Sequence, residues 1–129
     1  MSTETASTQR AAAIGALCCA VAVAAGAFGA HGLADRLGER ELALWETAAR
    51  YLMFAGLGQL AVALAAERWP GRLLRFSPAL LFLGGVIFSG TLFTMALGGP
   101  RWLGAITPLG GLGLILGFLL AAVGLWRAT

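Results

Sequence analysis

AAAIGALCCAVAVAAGAFGA, residues 11–30, runs for twenty positions without a charged side chain. Wound as an α-helix at about 1.5 Å per residue, such a stretch covers roughly 30 Å, the depth of a bilayer's hydrocarbon layer. Lipid offers no water to the backbone N–H and C=O groups, so a stretch of this kind must satisfy them internally, and a helix does so. The segment predicts a first membrane span over about residues 11–32. Ahead of it, the polar, Ser- and Thr-rich start of the chain closes at Arg10. Residues 1–10 therefore read as a short disordered tail.

Composition agrees with that opening. The 129-residue chain is 59% hydrophobic and only 12% charged, far from the average of soluble domains. Its mean hydropathy is +0.84. The net charge of +3 comes from arginines scattered in small groups between apolar runs. No basic patch of the kind that tracks a nucleic acid is present, so no nucleic-acid partner is expected. Cys18 and Cys19 are adjacent within the first apolar run; they cannot form an ordinary mutual disulfide and read as small apolar residues.

Residues 33–50 hold Asp35, Glu39, Glu41 and Glu46 together with Arg36, Arg40 and Arg50. Asp35, Glu39, Glu46 and Arg50 are spaced to share one helical face, with Leu37, Leu44, Ala48 and Tyr51 roughly opposite. This predicts an amphipathic helix starting near Glu39 and leading into a second span over about 45–67. Pro70, Gly71 and three arginines then mark a polar connection. Ser77 and Pro78 look like an N-cap followed by an N1 proline, which places the third span over about 78–97. Gly98, Gly99 and Pro100 form a turn. Thr107 and Pro108 repeat the cap-then-proline pattern and open a fourth span over about 107–126. The expected fold is all-α: an integral membrane four-helix bundle with an amphipathic lead-in to its second helix, forming one domain from residue 11 to residue 129.

Trp45, Trp69, Trp102 and Trp126 each fall at a predicted span end, where an indole sits across the lipid–water boundary. Arg10, Arg68, Arg72, Arg75 and Arg127 share one side of the membrane, against Arg36, Arg40, Arg50 and Arg101 on the other. By the positive-inside rule both termini are expected in the cytoplasm of a bacterial inner membrane. Ala22 and Ala24 could form a signal-peptidase site. The first apolar run is nevertheless longer than an ordinary signal core and has a single preceding arginine, so it is expected to stay as an anchor.

Four strings in the chain carry a resemblance: Gly26-Ala-Phe-Gly-Ala-His31-Gly-Leu33; Leu44-Trp45 with Tyr51; Phe88-Ser-Gly90; and Thr107-Pro-Leu-Gly-Gly111. Together they resemble the ordered signatures of the small membrane-protein family known as domain of unknown function 423. That family includes YgdD-like inner-membrane proteins and is related to the eukaryotic transmembrane protein 256. The resemblance covers nearly the whole chain from Arg10 onward. It implies a four-helix inner-membrane protein without an established activity. Where the family tends to have Tyr-Gln-x-Tyr-His at the head of the second span, this chain has Tyr51-Leu-Met-Phe-Ala55. A second histidine is therefore missing, and with it any mechanism needing a histidine pair.

Few residues invite a chemical role. His31, the single histidine, closes the first span, with Asp35 four residues on; its imidazole offers a proton-accepting or ligand-binding group. His31, Asp35, Glu46 and Arg50 form a candidate polar cluster where the first two helices meet. The bland alternative is an interfacial histidine and a structural Glu46–Arg50 ion pair. No metal site is expected, since Cys18 lies about 20 Å from His31 along a helix. Gln59 and Ser89 are the intramembrane polar residues, and an amide in hydrocarbon needs a partner such as Ser89, Thr91 or Thr94. Ser89 lacks a Gly-x-Ser-x-Gly frame, and no base comes within reach. The helix-packing candidates are Ala22, Gly26 and Ala30, with Gly29 one residue from that ridge, and the Gly113 and Gly117 pair of the fourth span.

The leading expectation is a non-catalytic structural or accessory protein acting by helix packing, with no cofactor. Its partners would be the lipid bilayer and a homo-oligomer or another membrane protein. The alternative from another class is a small oligomeric transporter or channel with a polar route through Gln59 and His31.

Overall fold

The computed structural model describes residues 2–129. Helix α1 (Thr3–Phe28) runs into a π-helical turn, Gly29–Leu33, and is followed by α2 (Glu39–Arg68) and α3 (Arg72–Ala96). A 3-10 turn, Arg101–Ala105, leads into α4 (Thr107–Arg127). Counted with their adjoining turns, the four helical segments are 31, 30, 25 and 27 residues long, and each contains a strongly apolar window. All exceed the roughly 20 residues a crossing requires.

Cross-helix contacts fix the topology. Gln59 Nε2 donates to the Ala11 carbonyl and Trp45 Nε1 to the Ala25 carbonyl, so numbers rise on α1 as they fall on α2. Tyr51 meets Phe88, while Gly85 lies against Ala55, which makes α2 and α3 antiparallel. Ser77 and Thr91 on α3 reach Gly117 and Thr107 on α4 in the same reversed order. Both termini and the α2–α3 connection thus share a terminal end, and the other two connections share a hairpin end. Each helix packs extensively on its sequence neighbour. Contacts of α1 with α3 and of α2 with α4 are sparse, and α1 does not touch α4 among the described residues. The bundle is therefore an open row with α1 and α4 as its edges.

In lipid no hydrophobic effect drives helices together, so close contact must supply the attraction. Glycines permit it at two crossings. A Cβ on Gly15 would stand 2.8 Å from the Gly56 carbonyl oxygen, and one on Gly84 would stand 2.6 Å from the Leu114 amide nitrogen. The seam residues recur at alternating spacings of three and four: Trp45, Ala48, Leu52, Ala55, Gln59 and Val62 on α2, and Thr107, Gly110, Leu114, Gly117 and Ala121 on α4 are all buried. Such spacing keeps one stripe of each helix on its neighbour over several turns.

Several sequence expectations change. Residues 3–10 are helical and not a disordered tail. The Ser2 hydroxyl accepts the Thr5 amide at 3.1 Å as an N-cap, and Glu4 sits in the first turn, where a carboxylate favours the helix dipole. Helix α3 begins at Arg72 after Gly71, so Pro78 is inside the helix and Ser77 is not its cap. Membrane helices tolerate an internal proline because neighbouring groups take up the freed backbone. Here the buried Ser77 hydroxyl instead donates to the Gly117 carbonyl of α4 at 2.7 Å. On α4 the cap is Ile106, so Thr107 is already helical; its buried hydroxyl bonds Thr91 at 2.6 Å. The amphipathic helix does start at Glu39, and Gly98 makes the turn after α3 with φ +97°.

Candidate functional site

The hairpin end was expected to gather His31, Asp35, Glu46 and Arg50. All four side chains are exposed, and no hydrogen bond or ion pair joins any two of them. The expected Glu46–Arg50 pair is not formed, because water and headgroups solvate exposed charges as well as a flexible partner does. What this end does build is a seat for Trp45. Gly29, in the π turn, lies under the indole so closely that a Cβ there would stand 2.6 Å from Cδ1. The indole nitrogen donates to the Ala25 carbonyl at 2.7 Å, and Phe28 and Phe93 pack edge-on against the ring at 6.2 and 4.6 Å. Trp45 is thus a core residue, 9% exposed, and not an interfacial anchor. Trp69, Trp102 and Trp126 are exposed near helix ends.

The strings that carried the family resemblance meet one another in pairs. Gly29 receives Trp45; Tyr51 packs on Phe88 at 4.9 Å between ring centroids; the Gly110 Cα lies against the Phe88 backbone. Each contact fastens one helix to the next, and none aims a reactive group into a cavity.

Gln59 is 2% exposed, and its amide donates to the Ala11 carbonyl at 2.8 Å. It does not pair with Ser89, Thr91 or Thr94. Gln59 stands nine residues before the end of α2 and Ser89 seventeen after the start of α3, which separates them by about 12 Å in depth. Thr94 returns to the Gly90 carbonyl at 2.7 Å. Gln59 Oε1 and Ser89 Oγ are buried without a hydrogen-bond partner.

Below Gln59, toward the terminal end, α1, α2 and α3 enclose a cavity of about 120 Å³ lined by Ser7, Thr8, Ala11, Ala63 and Pro78 among others. It adjoins a second cavity of about 390 Å³ through Glu4, Thr8, Ala66 and Arg75. Arg75 and Glu4 form an ion pair of 2.8 Å where the two cavities meet. Pro78 has no N–H, so the Leu74 carbonyl beside it lacks its helical donor. Above Gln59 the backbones close at Gly15 and Gly56, and Trp45 fills the same seam about 16 Å further on. Among the described residues no three of His, Cys, Asp and Glu gather as a metal site.

The packing candidates divide. Ala22, Gly29 and Gly117 are buried between helices, and Gly113 flanks the crossing, where a Cβ would stand 3.2 Å from the Gly84 Cα. Gly26 has open space beside it, and Ala30 is exposed. Sequence reasoning missed Gly15, Gly56, Gly84 and Gly110, which make the closest backbone-to-backbone approaches between helices. It also missed the Glu4–Arg75 pair, which becomes visible only once α1 is extended to Thr3. The regular three-and-four spacing of Gly110, Leu114 and Gly117 was the available signal.

A model of the family described as protein of unknown function DUF423 matches residues 25–111. The chain is 41% identical over 120 residues to the UPF0382 membrane protein SH2409 of Staphylococcus haemolyticus, an overlap of 88% of this chain and 93% of the relative. It is 38% identical over 111 residues to the UPF0382 membrane protein YwdK of Bacillus subtilis, covering 85% and 90% respectively. It is also 38% identical over 105 residues to the UPF0382 inner membrane protein YgdD of Escherichia coli K12, covering 81% and 80%. No solved structure matches.

Proposed function

Since the chain belongs to the DUF423 family of membrane proteins, we propose that it is a non-catalytic accessory protein that works by lateral helix packing through the free edge of α1. One observation carries this reading. On the side of α1 turned away from α2, the positions Ala13, Leu17, Ala20, Ala24 and Ala27 are exposed and keep the three-and-four spacing of a packing seam. Four of the five are alanines. Side chains that meet only lipid have no reason to be small, whereas small residues let a second helix approach closely. The partner is a transmembrane helix, either α1 of a second copy or a helix of another membrane protein. The family strings support the same reading, because they spend their residues on helix contacts. The inner-membrane relative and the arginine distribution support placement in the bacterial inner membrane with both termini in the cytoplasm.

Recovery from native membranes tests this. The tagged wild-type chain is expected to bring down a second, differently tagged copy or one defined membrane protein. Replacing Ala20 and Ala24 with Leu should abolish that recovery while leaving the helix content unchanged. If the Leu variant recovers the same partner as wild type, the α1 edge is not the contact.

A further inference from the structure

Because α2 and α4 barely touch, a strip of α3 is open to the bilayer between them, and it forms a groove of about 380 Å³. Tyr51 and Phe54 make one wall, Phe88 lies between the walls, and Gly111 and Phe118 belong to the other wall. The rings are mutually packed: Tyr51 meets Phe54 edge-on at 5.4 Å and Phe88 at 4.9 Å. Gly111 keeps the groove open, since even a Cβ there would touch the Phe88 ring at 3.5 Å. Phe118 closes the far end over Gly58. From Tyr51 to Gly58 on α2, and from Gly111 to Phe118 on α4, the groove follows the helix axes for about 10 Å. It therefore lies along the membrane normal, the direction of an acyl chain.

An unpaired arginine stands at the upper end of this groove. Arg50 directly precedes Tyr51, is exposed, and is the last charged residue of α2 before Glu67. It therefore marks the level at which hydrocarbon begins. It stands one turn from Phe54, on the same exposed side, and takes no carboxylate partner; Glu46, one turn further out, is not within ion-pair distance. Arg101, exposed on the α3–α4 connection, adds positive charge at the same end. An arginine at this depth extends its guanidinium toward the headgroups, where a phosphate accepts its fork of donors. A zwitterionic headgroup would bring its own ammonium against that charge, and an anionic one does not.

We propose that this groove binds one acyl chain of an anionic phospholipid whose phosphate is held by Arg50 at the hairpin end. The test is native mass spectrometry of the full chain released from mixed vesicles of phosphatidylglycerol and phosphatidylcholine with matched acyl chains. Wild type is expected to retain one phosphatidylglycerol with a preference of about fivefold, the size of one basic residue's effect at an anionic surface. Arg50→Gln should remove the preference, and Arg50→Glu should reverse it. Arg50 is exposed, so neither variant disturbs the helix seams. Gly111→Leu, which fills the groove, should reduce retention of both lipids. Equal retention of the two lipids by wild type would overturn the proposal, as would a phosphatidylglycerol preference unchanged in Arg50→Glu.

Discussion

The two edges of the helix row, α1 and α4, have the same kind of inner face and opposite kinds of outer face. Inside, each lets its neighbour's backbone approach through glycine, at Gly15 and Gly56 for one and at Gly84 and Gly110 for the other. Outside, α4 presents Leu109, Leu112, Ile115, Leu116, Leu119 and Val123, all large and exposed. The corresponding side of α1 carries Ala13, Ala20, Ala24 and Ala27 with a single large residue, Leu17, among them, while Ile14, Val21, Val23 and Phe28 are exposed to either side of that stripe. Large aliphatic side chains mix well with acyl chains, whereas a smooth alanine stripe favours a second helix. The contrast separates an edge suited to lipid from an edge suited to protein, and it does so within one chain of nearly uniform hydropathy.

Five substitutions probe that contrast, in falling order of effect. Trp45→Ala empties the seat on Gly29 and removes the bond to Ala25; unfolding free energy in detergent should fall by about 3–5 kcal/mol, the usual cost of deleting a large core aromatic. Gly84→Val forces a Cβ onto the Leu114 backbone and should destabilise by about 1–3 kcal/mol. Gly15→Val should do the same at the other seam, so unequal losses would show that the two inner faces are not equivalent. Ser77→Ala removes the buried bond to Gly117, with an expected loss of about 0.6–1.7 kcal/mol in the same measurement. Glu4→Gln breaks an exposed ion pair and should change stability by less than about 1 kcal/mol, an effect that shrinks further in high salt.

Much of the architecture was legible because lipid imposes it. Any uncharged stretch of sufficient length must be helical, so the number of spans, the start of α2 at Glu39 and the turn at Gly98 followed from composition and turn residues alone. Local signals misled where tertiary contacts outweighed them. Ser77 and Pro78 match a helix start, but the proline is tolerated mid-helix and the serine bonds a neighbouring helix. Residues 3–10 are polar enough to look disordered, yet Ser2 caps the helix and Glu4 pairs with Arg75 of α3. The Glu4–Arg75 contact cannot be seen without knowing that α3 starts at Arg72. Trp45 resembles its three interfacial counterparts in sequence, and only the π turn bringing Gly29 beneath it reveals a core residue. The partner of Gln59 was misassigned for a related reason: its depth depends on where α2 ends, and the amide reaches a backbone carbonyl on α1. The hairpin-end charges looked like a cluster because spacing along a helix says which face they share, not whether they meet.

The most direct measurement is a disulfide scan in native membranes, using a background in which Cys18 and Cys19 are replaced by alanine. Single cysteines are placed at Ala13, Ala20, Ala24 and Ala27 on α1, and at Leu112, Leu116 and Leu119 on α4. Crosslinked species should form on α1 with the periodicity of its outer stripe and stay at background on α4. Crosslinking on α4 with none on α1 would contradict the assignment of α1 as the association surface.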